Sequence, residues 1–257
     1  MDAHILYAVP NISTADRSVV AACDPGAVDL HLDEDHGRTV LTLRDPDDVL
    51  HVAREARARI DLREAHGQHP RVGVIDVAPV VFTEPSERGA ACARALVLAD
   101  RLGHEVGLPV FLYGVLAGGR TRAQLRLGGV HEAPPDFGPR TIDPSSGAVL
   151  VAARPPLVAF NLELASGDAK AVARAIRGGP LRALGMVVRA GVQQVSCNVE
   201  DHRAMPLAAL LALVERHAPV AAAELVGLAP EAAFDGWPDR VPVRNRATIE
   251  DRLVSQP

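Results

Sequence analysis

Hydrophobic periodicity spells the same order of elements twice along this 257-residue chain, and that repeat restricts the fold more than any motif does. In the first half, "HILYAV" (4–9) is an apolar strand closed by Pro10, and Ser13 or Thr14 is placed to cap a helix over "ADRSVVAAC". "AVDLHL" and "RTVLTLR" then make two strands around the acidic turn "DEDHG". Residues 46–65 open with proline and acids and set Val49, Leu50, Ala53, Ala56 and Ile60 at helical spacing. "VGVIDVAPVVF" follows as a buried strand. A helix at 86–106 and the strand "PVFLYG" come next, and the Gly-, Pro- and Arg-rich stretch 114–146 reads as loop and connection. Order returns with "AVLVAA". From "LVAFNLEL" the chain again gives strand, helix ("GDAKAVARAIR"), two strands ("RALGMVV", "VQQVSCNV"), helix ("MPLAALLALVERH") and strand ("AAAELVGL").

Strand, helix, strand, strand, helix, strand is the split βαβ order, whose sheet has helices on one face and leaves the other to pack on something. The expected fold is therefore α/β (α+β), two ferredoxin-like βαββαβ subdomains with mixed sheets, spanning 1–154 and 155–257. Two such lobes pairing their open faces, with helices outside, leave a crevice lined by strand ends and by loops such as 66–71, the usual kind of place for a small molecule.

Composition narrows the partners. Hydrophobic residues make up 48% but aromatics only 3%, so stacking platforms for bases are missing, and 32 acids against 27 basic residues suit no polyanion; no nucleic-acid partner is expected. Lys170 is the one lysine, which leaves cationic work to arginine. Cys23, Cys92 and Cys197 show no metal or redox spacing and read as buried thiols. No stretch resembles an export signal or membrane span, so a cytoplasmic protein is expected.

The chemistry concentrates in "HGQHPRVGVIDVAP" (66–79). His66 and His69 could serve a metal on a helical turn with Asp76 as a third ligand, but Pro70 biases His69 to an extended backbone, and no metal is expected. An imidazole titrating near neutrality can instead move protons, or the two rings can belong to a solvated turn. Arg38 and Arg71 stand beside strand ends, where a guanidinium can clamp a carboxylate or form a surface ion pair. Asn161 and Asn198 end apolar strands, where an amide can meet a ligand or start a turn. Nucleophile-elbow, P-loop and dinucleotide fingerprints are absent.

The fragments "VPN", "DEDHGRTVLT", "HGQHPRVGVIDVAP", "LPVFLYG", "PDFGP", "GAVLVAARPPLVAFNLEL", "QQVSCNVED" and "ELVGLAPEAA" occur in the order found in the glutamate formimidoyltransferase (formiminotransferase) family, and the chain resembles that family over nearly its whole length. The resemblance implies two α/β subdomains with a folate tunnel between facing sheets. It implies transfer of the formimino group of N-formiminoglutamate to N5 of tetrahydrofolate, the co-substrate, without a metal, in one-carbon metabolism and histidine degradation. The family's catalytic histidine falls on His69, which would act as general base and acid; Arg38, Arg71, His31, Gln68, Asn161 and Asn198 are the expected substrate and folate contacts. The family's tendency to dimerise allows a homodimer.

The departures lie in the pocket. Gln68 replaces a glutamate before the histidine, His31 stands where an aspartate is expected, Gly37 replaces an asparagine, and the usual "VPNFSEGR" reads "VPNISTADR". They leave two alternatives: a divergent one-carbon enzyme acting on another amidine or on 5-formyltetrahydrofolate, or a non-catalytic folate-binding homologue.

Overall fold

The computed structural model describes residues 5–67 and 70–254, without the Ala190 side chain. The chain divides into two compact units, Met1–Pro155 and Pro156–Pro257. The first contains β1 (Leu6–Ala8), β2 (Asn11–Ile12), α1 (Arg17–Cys23), β3 (Asp29–Asp33), β4 (Arg38–Thr42), α2 (Val49–Arg59), β5 (Ile75–Phe82), α3 (Arg88–Arg101), β6 (Val110–Leu112), the short turns α4 (Arg122–Gln124) and α5 (Val130–Glu132), and β7 (Val149–Arg154). Its sheet runs β3-β4-β2-β5-β7-β6, with β1 pairing β5. The pairs through β5 are antiparallel, whereas β7 joins β5 and β6 in parallel.

The second unit contains β8 (Val158–Leu164), α6 (Ala169–Ile176), β9 (Leu181–Val187), β10 (Gln193–Val199), α7 (Leu207–Glu215), β11 (Val220–Val226) and β12 (Val243–Arg244), in the sheet order β12-β11-β8-β10-β9. In both units the second, third, first and fourth strands of the βαββαβ motif lie side by side in that order. The order of elements repeated in the sequence is thus a repeat of topology. The additions are parallel: β7 and β6 beyond β5, and β12 beyond β11.

Strand alternation separates two faces in each sheet. In the first unit, Val149, Val151 and Ala153 of β7 join Ala53 and Ala56 of α2 and Ala95 and Leu98 of α3 in the larger core. The intervening Leu150 and Ala152 pack with Val77, Phe111 and Tyr113 on the face opposite α2 and α3, where Leu125 and Val130 of the 114–146 connection cover them. In the second unit, Phe160 and Leu162 of β8 face Val172 and Ile176 of α6 and Leu207 and Leu211 of α7. Among the described residues, no helix is long and apolar enough to cross a membrane.

Local chemistry sets the boundaries that periodicity misplaces. The cap of α1 is Asp16, which accepts from the backbone N–H groups of Ser18 (2.8 Å) and Val19 (3.2 Å). Ser13 is unavailable because its hydroxyl donates to the Gly73 carbonyl at 2.7 Å, and Thr14 Oγ1 accepts from Asp16 N at 3.0 Å. Such a cap contributes about 1 kcal/mol. The helix expected over 46–65 is confined to α2, because Asp61 accepts from Arg63 N and starts a separate turn after an extended Ile60. The 114–146 connection contains α4 and α5, and α4 is held by reciprocal bonds between Thr121 and Gln124. Cys92 is half-buried, unlike Cys23 and Cys197.

Candidate functional site

The face of the first sheet opposite α2 and α3 carries buried and half-buried polar residues. Register places His31, Val40, Asn11, Val77, Leu150 and Phe111 on one rung across all six strands of the path. Residues of one rung point to the same side, so His31 and Asn11 join that face, and the paired Asp33 and Arg38 lie two residues further along β3 and β4. His31 is 7% exposed.

Asp33 ion-pairs with His36 Nδ1 and accepts from the His36 backbone N–H at 2.9 Å. Burial opposes its charge, yet the hydrogen bonds from His36 and the neighbouring Arg38 hold the carboxyl below the usual range. Arg38 is pushed down to about 10 by burial, with Asp33 and Asp76 pulling it up and Arg126 and Arg122 pushing it down. It therefore remains charged at neutral pH. Its Nε is sealed from solvent without a hydrogen-bond partner. Asp76, 3% exposed, accepts from Val72 N at 2.9 Å and pairs with Arg126.

Arg71 has a different set of partners. Its Nη1 reaches the carbonyls of Ser13 (3.5 Å) and Gly37 (3.3 Å), and its Nη2 those of His36 (3.2 Å), His66 (2.9 Å) and Gly67 (3.3 Å). One guanidinium thus ties three segments together at the entry to β5. Gly37 has φ +61, and a Cβ there would run into the His66 carbonyl; Gly67 meets the His36 carbonyl in the same way. Gly37 is required by this backbone-to-backbone approach. Gln68 and His69, on the same loop, lie outside the described residues.

At the far end of the face, β7 finishes on Arg154, which shares a rung with Val81 and Tyr7. Burial lowers the pKa of its guanidinium, on which Tyr113, Arg122 and Tyr7 also act. The Arg122 guanidinium sits 5.8 Å from the centre of the Tyr113 ring.

The second unit carries its own polar helix-free face. Arg244, Glu224, Asn161, Ser196 and Leu184 form one rung. Asn161 is 1% exposed and donates to Glu224 at 3.2 Å, while its Oδ1 is buried without a partner. Asn198, half-buried, pairs with Ala159 and Arg182 on the same face. Both asparagines lie within strands and not at their ends, so neither starts a turn.

The sequence model of the formiminotransferase domain, N-terminal subdomain, matches residues 5–154, more than half of the chain. The chain belongs to the formiminotransferase family. The glutamate formimidoyltransferase of Streptococcus pyogenes serotype M1 is 30% identical over 90% of this chain and 91% of its own length. That of Thermoplasma acidophilum is 30% identical over 85% and 83%, respectively. The formimidoyltransferase-cyclodeaminase of Sus scrofa is 32% identical over 88% of this chain, which spans 50% of that protein.

In this formiminotransferase-family chain the structure gathers His31 and Arg38 with Asp33 and His36, around which stand Asp76, Arg126 and Arg122. Sequence reading missed the last two arginines because they lie in a stretch taken for loop. Their spacing of four in "RAQLR" was the available signal.

Proposed function

We propose that this chain is a formimidoyltransferase that carries the formimino group of N-formiminoglutamate to N5 of tetrahydrofolate. The reading is supported by the names of its relatives and, on the molecule, by one observation: on the face opposite α2 and α3, Arg126 and Arg122 join Arg38, with Asp33 and Asp76 as the described carboxylates that act on it. Three guanidiniums against two carboxylates leave a cationic surface, suited to a donor with two carboxylates and a folate with a glutamyl tail.

In the transfer, N5 attacks the amidine carbon and a tetrahedral centre forms. The bond from that carbon to the glutamate nitrogen then breaks, as a proton leaves N5 and another reaches the departing nitrogen. A protonated amidine is itself electrophilic, so the step calls for proton transfer and proximity. We assign the proton shuttle to His69, which precedes Pro70 in the sequence of the loop whose His66 and Gly67 carbonyls accept from Arg71. On this reading Arg71 positions the loop, while Arg38, His31 and Gln68 address substrate and Asn161 and Asn198 are folate contacts. The three free cysteines suit a reducing, cytoplasmic setting.

The test is turnover of N-formiminoglutamate with tetrahydrofolate by wild type and His69→Ala. A loss of about 100-fold or more in kcat, with folate affinity kept, supports the shuttle, and an unchanged rate removes His69 from it. A second reading, a different amidine or 5-formyltetrahydrofolate as donor, draws on His31 occupying the buried place of an aspartate. Turnover of 5-formyltetrahydrofolate but not of N-formiminoglutamate would favour it.

A further inference from the structure

Arg154 carries a charge that the proposed chemistry leaves unused. Its residue is part-exposed, but Nε is sealed from solvent and has no hydrogen-bond partner. Nη1 donates to the Pro155 carbonyl at 3.0 Å. Among the described residues Arg154 makes no ion pair, and the groups around it are two phenols and a second arginine. A guanidinium has five N–H donors, and a phenol does not balance its charge at neutral pH. Keeping a desolvated cation beside another cation is costly unless an anion arrives to pair with it.

The surroundings are built. Arg154 ends β7 in register with Val81 of β5. Tyr113, directly after β6, donates its backbone N–H to the Val151 carbonyl at 3.0 Å and is 6% exposed. Arg122 opens α4, fixed by Thr121 N donating to Gln124 Oε1 at 2.8 Å and Gln124 N donating to Thr121 Oγ1 at 3.2 Å. Two strands and a capped turn thus set two guanidiniums about Tyr113, an arrangement that can take a carboxylate between parallel N–H donors.

We propose that Arg154, with Arg122 and Tyr113, forms a carboxylate subsite for the glutamyl group that both substrates carry. The assignment rests on the transferase reading for the identity of the ligand, while the site itself rests on a guanidinium with no carboxylate partner among the described residues.

The experiment compares wild type, Arg154→Lys and Arg154→Gln for binding of glutarate, N-formiminoglutamate, 5-formyltetrahydrofolate and the 5-formyl pteroate analogue without a glutamyl tail. Arg154→Gln should weaken glutarate about 10- to 100-fold and leave the tail-less analogue unchanged, with Arg154→Lys between. A matching loss confined to N-formiminoglutamate places the donor's carboxylate at Arg154, and one confined to the tailed folate places the folate's there. Equal loss for the tail-less analogue, or no loss for any ligand, overturns the subsite. Should both variants misfold, a crystal structure of wild type with glutarate decides, and a carboxylate seated away from Arg154 overturns the proposal. Arg154-dependent glutarate binding without formimino transfer would remove the transferase reading and keep the subsite. Normal transfer and unchanged affinities in Arg154→Gln would do the reverse.

Discussion

Arg38 shows how a single buried charge can burden the fold. Burial takes its guanidinium down to about 10, below the ordinary arginine range. The folded state therefore binds fewer protons than the unfolded chain from about pH 10 up to that range, and stability rises as pH climbs through that window. At neutral pH the charge opposes folding. Replacing it by an apolar group of similar length removes that opposition, and Asp33 keeps its bonds to His36 while Asp76 keeps Arg126. Arg38→Met should hold or raise Tm, measured by thermal unfolding, while increasing KM for the donor or the folate about 10-fold or more. Wild-type substrate affinity should decline as pH passes about 10, where the guanidinium loses its proton. A drop in Tm with an unchanged KM would make Arg38 structural. Arg38 was legible in the sequence because it begins an apolar strand after an acidic turn. The partners of Arg71 were not, since five carbonyls from three segments leave no trace in spacing.

At the scale of elements, the junction of the β3–β4 turn with the loop before β5 depends on backbone contact. Gly37 and Gly118 isolate the reason, because their φ values match at +61 and +59 while a Cβ meets the His66 carbonyl at the first and open space at the second. Both alanine substitutions carry the strain of a left-handed residue, about 1 kcal/mol. Only Gly37→Ala must also push the two loops apart. Denaturant unfolding should show Gly118→Ala losing about 1 kcal/mol and Gly37→Ala losing at least about 1 kcal/mol more, with kcat reduced only in Gly37→Ala if the loop's His69 has the shuttle role proposed for it. Equal losses and equal rates would mean that the contact yields freely. The departure from the family's asparagine was visible in the sequence, but its meaning was not. A loop 29 residues away supplies the obstruction, and periodicity carries no information about such a neighbour.

Across the whole molecule, the repeated order of elements was readable because each βαββαβ unit buries its helices on one sheet face, which imposes period two on strands and a 3.6-residue period on helices. The strands added beyond that motif, and the covering of the first unit's open face by Leu125 and Val130, depend on long-range packing and could not be read. Among the described residues, each unit has apolar clusters drawn from its own residues: two in Met1–Pro155 and one in Pro156–Pro257. The single tryptophan belongs to the second, where Trp237 donates to the Val241 carbonyl at 2.9 Å and meets the Phe160 ring edge-on at 5.2 Å. Phe160 is fully buried and also meets Phe234 at 6.3 Å. Phe160→Ala should therefore cost about 3–5 kcal/mol in the transition seen by Trp237 fluorescence. Hydrogen exchange should show the largest loss of protection in β8, β10 and β11, with β5 and β7 losing less, because no residue of those two strands belongs to the cluster that Phe160 leaves empty. Equal loss of protection in all five strands would show that the two cores unfold as a single cooperative body.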